Sequence, residues 1–407
     1  MRRRLRPIPR RPRTRRWHRD RDDLLVRRTG GGARPGFWRG AGSIAALELR
    51  QRLRSRTLWV LAIVWFAIIG AVTVAMWATL SLSSTIYDEE FDAYPLFSII
   101  VYFVLLFGTL VAPAISAGSI SSERTGGTLA TTQVTLVGTS SILFGKALAA
   151  WATGLAFLVV ASPFVILSLV LARTGPLQLL TAVLALALQI GLFTAFGVGL
   201  SAMISSPLFA IVTAYLLVAL LSIGTLIAFG LSLGVATRYT EVEYRTFSQE
   251  YWDAYWACDP DGEGAGVEVL ACQEAVPVEC VTETMVASST PTDRFWWILA
   301  MNPYVIVADM VSVRVDDERG PEDLFSMVSY GVRTLQTADV DTYEYDDCPT
   351  RPPYVSNDSG QDPLAGTIPV WWIGLGLQVL IAGGLLWGGY RRLDTPAAKL
   401  PKGSRVA

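Results

Sequence analysis

Few residues in this sequence could do chemistry, and they stand outside its long apolar runs. From Ile120 to Ala149 the chain reads ISSERTGGTLATTQVTLVGTSSILFGKALA, with Glu123 and Arg124 adjacent near its head. A carboxylate beside a guanidinium in a polar loop supplies orientation and partner choice at an interface more than raw affinity. Gly126 and Gly127 follow at once and suit a sharp turn of the backbone. A segment this polar cannot lie in hydrocarbon, because its side chains and loosely held backbone would go unsatisfied there. It belongs at a membrane surface. A solvated loop with two ordinary charges is the alternative reading of Glu123 and Arg124.

The other reactive residues gather near the carboxy-terminal side. All four cysteines, Cys258, Cys272, Cys280 and Cys348, lie between residues 235 and 366. An even number confined to one segment suggests two disulfides in an oxidising compartment, with all three pairings open. Zinc is the competing reading, but the segment has no histidine and no Cys-x-x-Cys pair. The acidic runs Asp316-Asp317-Glu318 and Asp346-Asp347 do not have EF-hand spacing, so a solvated acidic surface is expected in place of a calcium site. Asn357-Asp-Ser359 has the form of a glycosylation sequon, which matters only in a host that uses it.

Several function classes fall away on residue types alone. An intramembrane hydrolase needs an aspartate dyad, a His-assisted nucleophile or a zinc site, and the apolar runs hold neither Asp nor His. Ion-coupled carriers use ionisable groups within the bilayer, and these runs have none. A nucleotide site is also missing: Gly138 to Gly145-Lys146-Ala147 has six residues between its glycines where a phosphate-binding loop has four, and Ala147 where a metal-binding Ser or Thr belongs. The chain is therefore expected to be no enzyme and to bind no cofactor itself. Energy for any active transport must come from a partner.

The elements that must position these residues follow from composition. With 407 residues, 52% hydrophobic and 17% charged, and a mean hydropathy of +0.40, the chain is too apolar for an ordinary soluble protein. The expected fold is an all-α polytopic membrane protein. Residues 1–42 are Arg- and Pro-rich, hold the only histidine, His18, and read as a disordered tail. A solvated tail or an over-extended gene start is preferred there over a segment drawn to anionic headgroups or RNA, and no nucleic-acid partner is expected. Residues 43–56, with Ile44 and Leu47 at helical spacing and Arg50, Arg52, Arg54 and Arg56 close together, read as an amphipathic interfacial helix.

Six runs are long enough to cross the bilayer: Thr57–Leu80, Pro95–Ala117, Ala147–Ala172, Leu177–Met203, Leu208–Gly234 and Ile368–Tyr390. The expected organisation places spans one to five within 57–234 around a cytoplasmic coupling loop at 118–146. An extracytoplasmic acidic domain at 235–366, the sixth span at 367–390 and a cytoplasmic basic tail at 391–407 complete it. Residues 1–56 carry 19 Arg against 4 acidic residues, and residues 235–366 carry 25 acidic residues against 7 Arg. The positive-inside rule then puts both termini in the cytoplasm of a cell (inner or plasma) membrane. Phe295–Val313 is nearly long enough to be a seventh span. Asn302-Pro303 and Asp309 would then lie at bilayer depth, so an interfacial or re-entrant segment is preferred. Tyr239–Trp256 is expected to continue the fifth span as a helix above the membrane.

The loop carries a specific resemblance. Glu123-Arg124-Thr-Gly-Gly127-Thr128-Leu129, followed by Thr135, Ile142 and Gly145-Lys146, resembles the signature of ABC-2 type permeases, the membrane subunits of ATP-driven exporters. That family shows an Ile, Glu-Arg, Gly-Thr-Leu-Glu, a Thr-Pro-Leu-Ser turn, and an Ile shortly before Gly-Lys. Weaker likenesses lie at Glu48-Leu49-Arg50, Arg54-Ser-Arg56, Pro113, Gly199-Leu-Ser-Ala-Met203 and Arg391-Arg392. Ala130 replaces a frequent Glu and Leu136 the usual Pro. The resemblance implies a short coupling helix bearing Glu123 that docks on a separate ABC ATPase, with Glu123, Arg124, Gly127, Thr128 and Leu129 as the coupling residues. It also implies that ATP and Mg are bound by that partner, and that a second permease subunit, alike or different, pairs with this one among the membrane lipids. A non-transporting scaffold or sensor that uses its outer domain to bind a ligand or envelope partner is the alternative, and a channel is a third, disfavoured for want of a charged ring.

Overall fold

The computed structural model describes residues 36–87, 93–127, 138–259, 267–311, 315–316, 320–321, 323–337, 364 and 366–394. The Arg-rich tail before residue 36, Thr128, Leu129, Thr135 and the basic tail after residue 394 lie outside these. The fold is mostly helical. Helix α1, Phe37–Leu53, precedes the first long helix, α2, Arg56–Tyr87. Then come α3, Tyr94–Ser116, the short α4, Ser121–Thr125, α5, Thr139–Leu171, and α6, Pro176–Met203. The fifth long helix is interrupted: α7, Pro207–Ala219, passes through a π-turn, Leu220–Gly224, into α8, Thr225–Ala236. The last is α14, Trp371–Leu393. Among the described residues six helices are long and apolar enough to cross a membrane.

Local sequence explains where many of these helices begin. Pro95, Pro176 and Pro207 occupy the first turns of α3, α6 and α7, where a missing N–H costs nothing and the fixed φ suits a helix. Helix α6 is central, touching α3, α5, α7 and α14. Small residues allow these close approaches, as they do wherever apolar lipid gives helices no hydrophobic reason to associate. A Cβ on Gly199 would come within 2.8 Å of the Leu385 Cβ, and one on Gly389 within 2.7 Å of the Ala202 Cβ. Around α6 packs a core of Trp65, Ile69, Phe97, Ile100, Leu105, Phe157 and Leu186, in which the Trp65 indole stacks on Phe107 and donates to the Phe157 carbonyl at 3.2 Å.

At the end of the bundle reached by α8 the chain departs from a purely helical fold. Strand β1, Arg238–Phe247, pairs antiparallel with β2, Cys280–Ser289, in a register running from Arg238 opposite Ser289 to Phe247 opposite Cys280. The expected helical continuation at Tyr239–Trp256 is therefore corrected: only α9, Gln249–Ala257, is helical there. RYTEVEYRTF and CVTETMVASS are dense in Thr, Val and aromatic residues, which favour a pleated strand once a cross-strand partner exists. Between them lies α10, Val267–Ala275, and Cys258 at the end of α9 is disulfide-bonded to Cys272 in α10. That bond selects one of the three open pairings. Cys280 is also disulfide-bonded, and Cys348 lies outside the described residues.

The apolar segment near residue 300 is broken into α11, Trp296–Ala300, and α12, Pro303–Met310, neither long enough to span. Asn302 caps α12, its side-chain Oδ1 accepting from the Tyr304 N–H at 2.9 Å. Two short strands, β3, Val315–Asp316, and β4, Gly320–Pro321, pair before α13, Leu324–Thr334, which opens with an Asp323–Ser326 capping box. Asp309 then ties three elements together. Its Oδ1 accepts from Ser329 Oγ and Arg333 Nε, each at 2.6 Å, and its Oδ2 from the Val370 and Trp371 N–H groups at 2.5 and 3.0 Å.

Candidate functional site

Helix α4 is only one turn and a half, too short to stand alone. Its position is set by α6. Ser201 Oγ accepts from the N–H groups of Ile120 at 3.0 Å and Ser121 at 3.1 Å, satisfying donors that a helix start leaves open. Ile120 is fully buried among Leu143, Val198, Ala202 and Leu393. The far end of α4 closes with Gly126, and Gly127 adopts a φ of +73°, the left-handed region that favours glycine.

From this turn the two charged side chains point inward. Arg124 Nη2 donates to the Ala202 carbonyl at 3.3 Å, at the carboxy-terminal end of α6 where a cation meets the negative end of the helix dipole. Glu123 Oε1 receives the Lys146 ammonium at 2.7 Å. Lys146, in the second turn of α5 and 3% exposed, also contacts the Glu48 carboxylate of α1. Glu48 Oε2 in turn holds Arg52 at 3.2 Å, and Arg52 donates to Thr153 Oγ1 at 3.2 Å and to the Ile115 carbonyl at 3.4 Å. The outward face of α4 is left to Ser122, Thr125, Gly126 and Gly127, which are exposed.

Glu48, Arg52, Glu123 and Lys146 thus form a neutral, partly buried cluster joining α1, α3, α4 and α5. A lysine this buried is tolerable only because carboxylates offset the cost of removing it from water. Burial lowers the Arg52 guanidinium below its ordinary value, and the charge of Glu48 opposes the shift. Close contact of α1 with α5 makes the cluster possible: a Cβ on Gly145 would lie 2.7 Å from the Ala41 carbonyl oxygen and 2.9 Å from the Ile44 Cβ. So α1 does not turn all of its arginines outward. It packs along α5 with Gly40 and Ala41 buried, and Arg52 is turned inward.

Of the residues singled out from sequence, Glu123, Arg124 and Gly127 come together on α4, while Thr128 and Leu129 lie outside the described residues. Sequence reasoning missed the inward roles of Glu48, Arg52 and Lys146. Glu48 and Arg52 stand one helical turn apart, which signals an ion pair, but nothing in the sequence reveals that Lys146, 98 residues away, completes it.

A second feature is a cavity of about 660 Å³, open on one side, between α3, the α7–α8 helix, α12 and α13. Exposed apolar side chains such as Leu110, Ile223 and Leu226 line it together with Tyr102, Thr109, Tyr215, Ser222, Asn302 and Tyr304, and no charged residue does so among the described residues.

Residues 43–251, just over half of the chain, match the family described as ABC-2 family transporter protein. The chain belongs to the ABC-2 transporter family. The match begins within α1 and runs through α8, hence over the whole charged cluster, and ends within α9, so the segment from α10 through α13 and the last long helix lie beyond it. No curated protein matches the chain. As an ABC-2 family protein with six apolar helices it is a multi-pass membrane protein and a membrane component of transport.

Proposed function

We propose that this chain is the permease subunit of an ABC exporter: it forms the translocation pathway and is driven by a separate ATPase that docks on the 118–146 segment. The ABC-2 family normally works with such an ATPase. The observation that carries the reading is the Lys146 bridge between Glu123 and Glu48. A push on α4 is transmitted at once to α5 and α1, because moving Glu123 away from Lys146 would strand a buried charge. The partner, holding ATP and Mg, touches the exposed Ser122, Thr125, Gly126 and Gly127, while Glu123 and Arg124 pass the displacement inward.

In this reading α1 and α4 face the cytoplasm, both termini lie on that side of the cell membrane, and a second permease subunit completes the pathway. ATP-driven closure of two ATPases then biases the bundle between two states. The cavity is this chain's share of the pathway, and its uncharged lining suits uncharged cargo.

The test separates docking from transmission. With a partner ATPase recovered by co-purification with this chain, Glu123→Lys is expected to keep association and to lose the stimulation of ATP hydrolysis. Ser122→Trp, on the exposed face, is expected to lose association itself. Unchanged stimulation in Glu123→Lys would remove the coupling role assigned to the cluster.

A further inference from the structure

We infer that Asn302 and the π-turn at Leu220–Gly224 form a two-position gate over the sheet-side mouth of the cavity. Asn302 is 2% exposed, and its amide is fully engaged. Its oxygen caps α12, and its Nδ2 donates to the Ser222 carbonyl at 2.7 Å and to Thr225 Oγ1 at 3.0 Å. Ser222 lies within the π-turn, and Ser222 and Asn302 both line the cavity. A single π-turn carries one residue more than the α-helix can absorb, which turns carbonyls away from the helix and makes the segment convertible to regular α-helix by moving the extra residue along. The carbonyl that the bulge presents is the one Asn302 takes.

Three features make this contact the releasable end of α12. Its bonds to the π-turn are neutral, whereas the other end of α12 is anchored by the Asp309 carboxylate through four bonds, and charge-assisted bonds are roughly twice as strong as neutral ones. The chain is already broken beside Asn302, where α11 ends and Pro303 begins α12, so a hinge exists. And the Ser222 hydroxyl is buried with no hydrogen-bond partner among the described residues, a cost of the present position that regular α-helix removes by letting a serine bond back to the preceding turn. When the π-turn relaxes, Ser222 takes its carbonyl back into the helix, Asn302 loses its acceptor, and α12, with Tyr304 and Val305 in the cavity wall, swings about the Asp309 anchor. The role as an exit gate rests on the transport reading above; the two positions do not.

The gate can be read without ATP, cargo or partner. In the full chain in lipid vesicles, Thr109→Cys places a thiol in the cavity wall, and a membrane-impermeant maleimide added on the sheet side reports access, against the protein without that substitution as background. Asn302→Ala is expected to raise the labelling rate about tenfold, the shift that loss of its neutral hydrogen bonds implies. Thr225→Val, which leaves the Ser222 bond in place, should raise it less. Deleting Ile223, which restores regular α-helix, should match Asn302→Ala, and combining the two should add nothing, because both remove the same Asn302–Ser222 contact. Labelling unchanged in Asn302→Ala, or independent effects in the combined variant, overturns the gate and leaves the Glu123→Lys assay untouched. Thermal melting of each variant separates opening from general loosening: equal labelling gains at Ala93→Cys, buried at the sheet-side start of α3 and outside the cavity lining, would also overturn it.

Discussion

Lys146 is the residue on which the charged cluster turns. It binds two carboxylates at once, Glu48 of α1 and Glu123 of α4, and it is the more buried partner of each pair. Lys146→Met is expected to cost about 2 kcal/mol, below the usual range for breaking a buried pair because Glu123 keeps partial exposure and Glu48 keeps Arg52. Adding Glu123→Gln and Glu48→Gln should recover part of that loss, since the penalty lies in unpaired carboxylates, and thermal unfolding in detergent measures both. Asp309 makes the same point at the other end of the bundle. Asp309→Ala strands Arg333 and the first N–H groups of α14, so a loss of about 3 kcal/mol is expected, while Asp309→Asn, which keeps an oxygen for those N–H groups, should cost less. Neither residue's role was legible from sequence. Asp309 was marked only as awkward at bilayer depth and Lys146 only as part of a Gly-Lys pair, because each acquires its meaning from partners brought in by tertiary packing.

At the scale of elements the sequence was far more informative, for a physical reason. Hydrocarbon demands long uninterrupted apolar helices, and this demand is written directly in composition. Prolines stand in the first turns of α3, α6 and α7, though only the run starting at Pro95 took one in. What escaped was the non-apolar part: β1 and β2 satisfy each other's backbones across some 40 residues, and such non-local pairing has no signature in either segment alone. The π-turn escaped as well, since LLSIG reads as ordinary apolar helix and the bulge is held by a residue 80 positions away. Element packing yields a sharper test at Gly145. Its Cβ would meet backbone, which cannot rotate aside, so Gly145→Ala should push α1 off α5 at a cost of about 1–3 kcal/mol. Gly384→Ala in α14, where nothing lies within 4 Å, should be neutral or stabilise by up to about 1 kcal/mol through helix propensity. Parallel melting curves of the two variants distinguish a close helix approach from general intolerance of substitution.

The whole molecule is polarised by charge, and that polarity predicts its orientation. The charged cluster and the α14 arginines, Arg391 and Arg392, share one end of the bundle: Leu393 packs with Ile120 and Leu143 beside α4. The paired strands and the Cys258–Cys272 bond lie at the other, where α8 ends. Cationic flanks are retained on the cytoplasmic side during insertion, and disulfides persist where the compartment is oxidising; the two rules are independent and here they agree. A fluorescent protein fused after Asp394 should therefore be bright in the host cytoplasm. A phosphatase that is active only in an oxidising compartment should be active when joined at Asp259 and inactive when joined at Gly118. The reverse pattern would turn the molecule over and put α4 out of reach of any cytoplasmic ATPase. Under the expected orientation, Cys258→Ser with Cys272→Ser should loosen only the segment around α9 and α10, because a 14-residue loop bond acts on its own loop and on none of the packing around α6. Proteolysis of intact cells lacking an outer barrier should then show earlier cleavage near α10, with the six long helices melting as before.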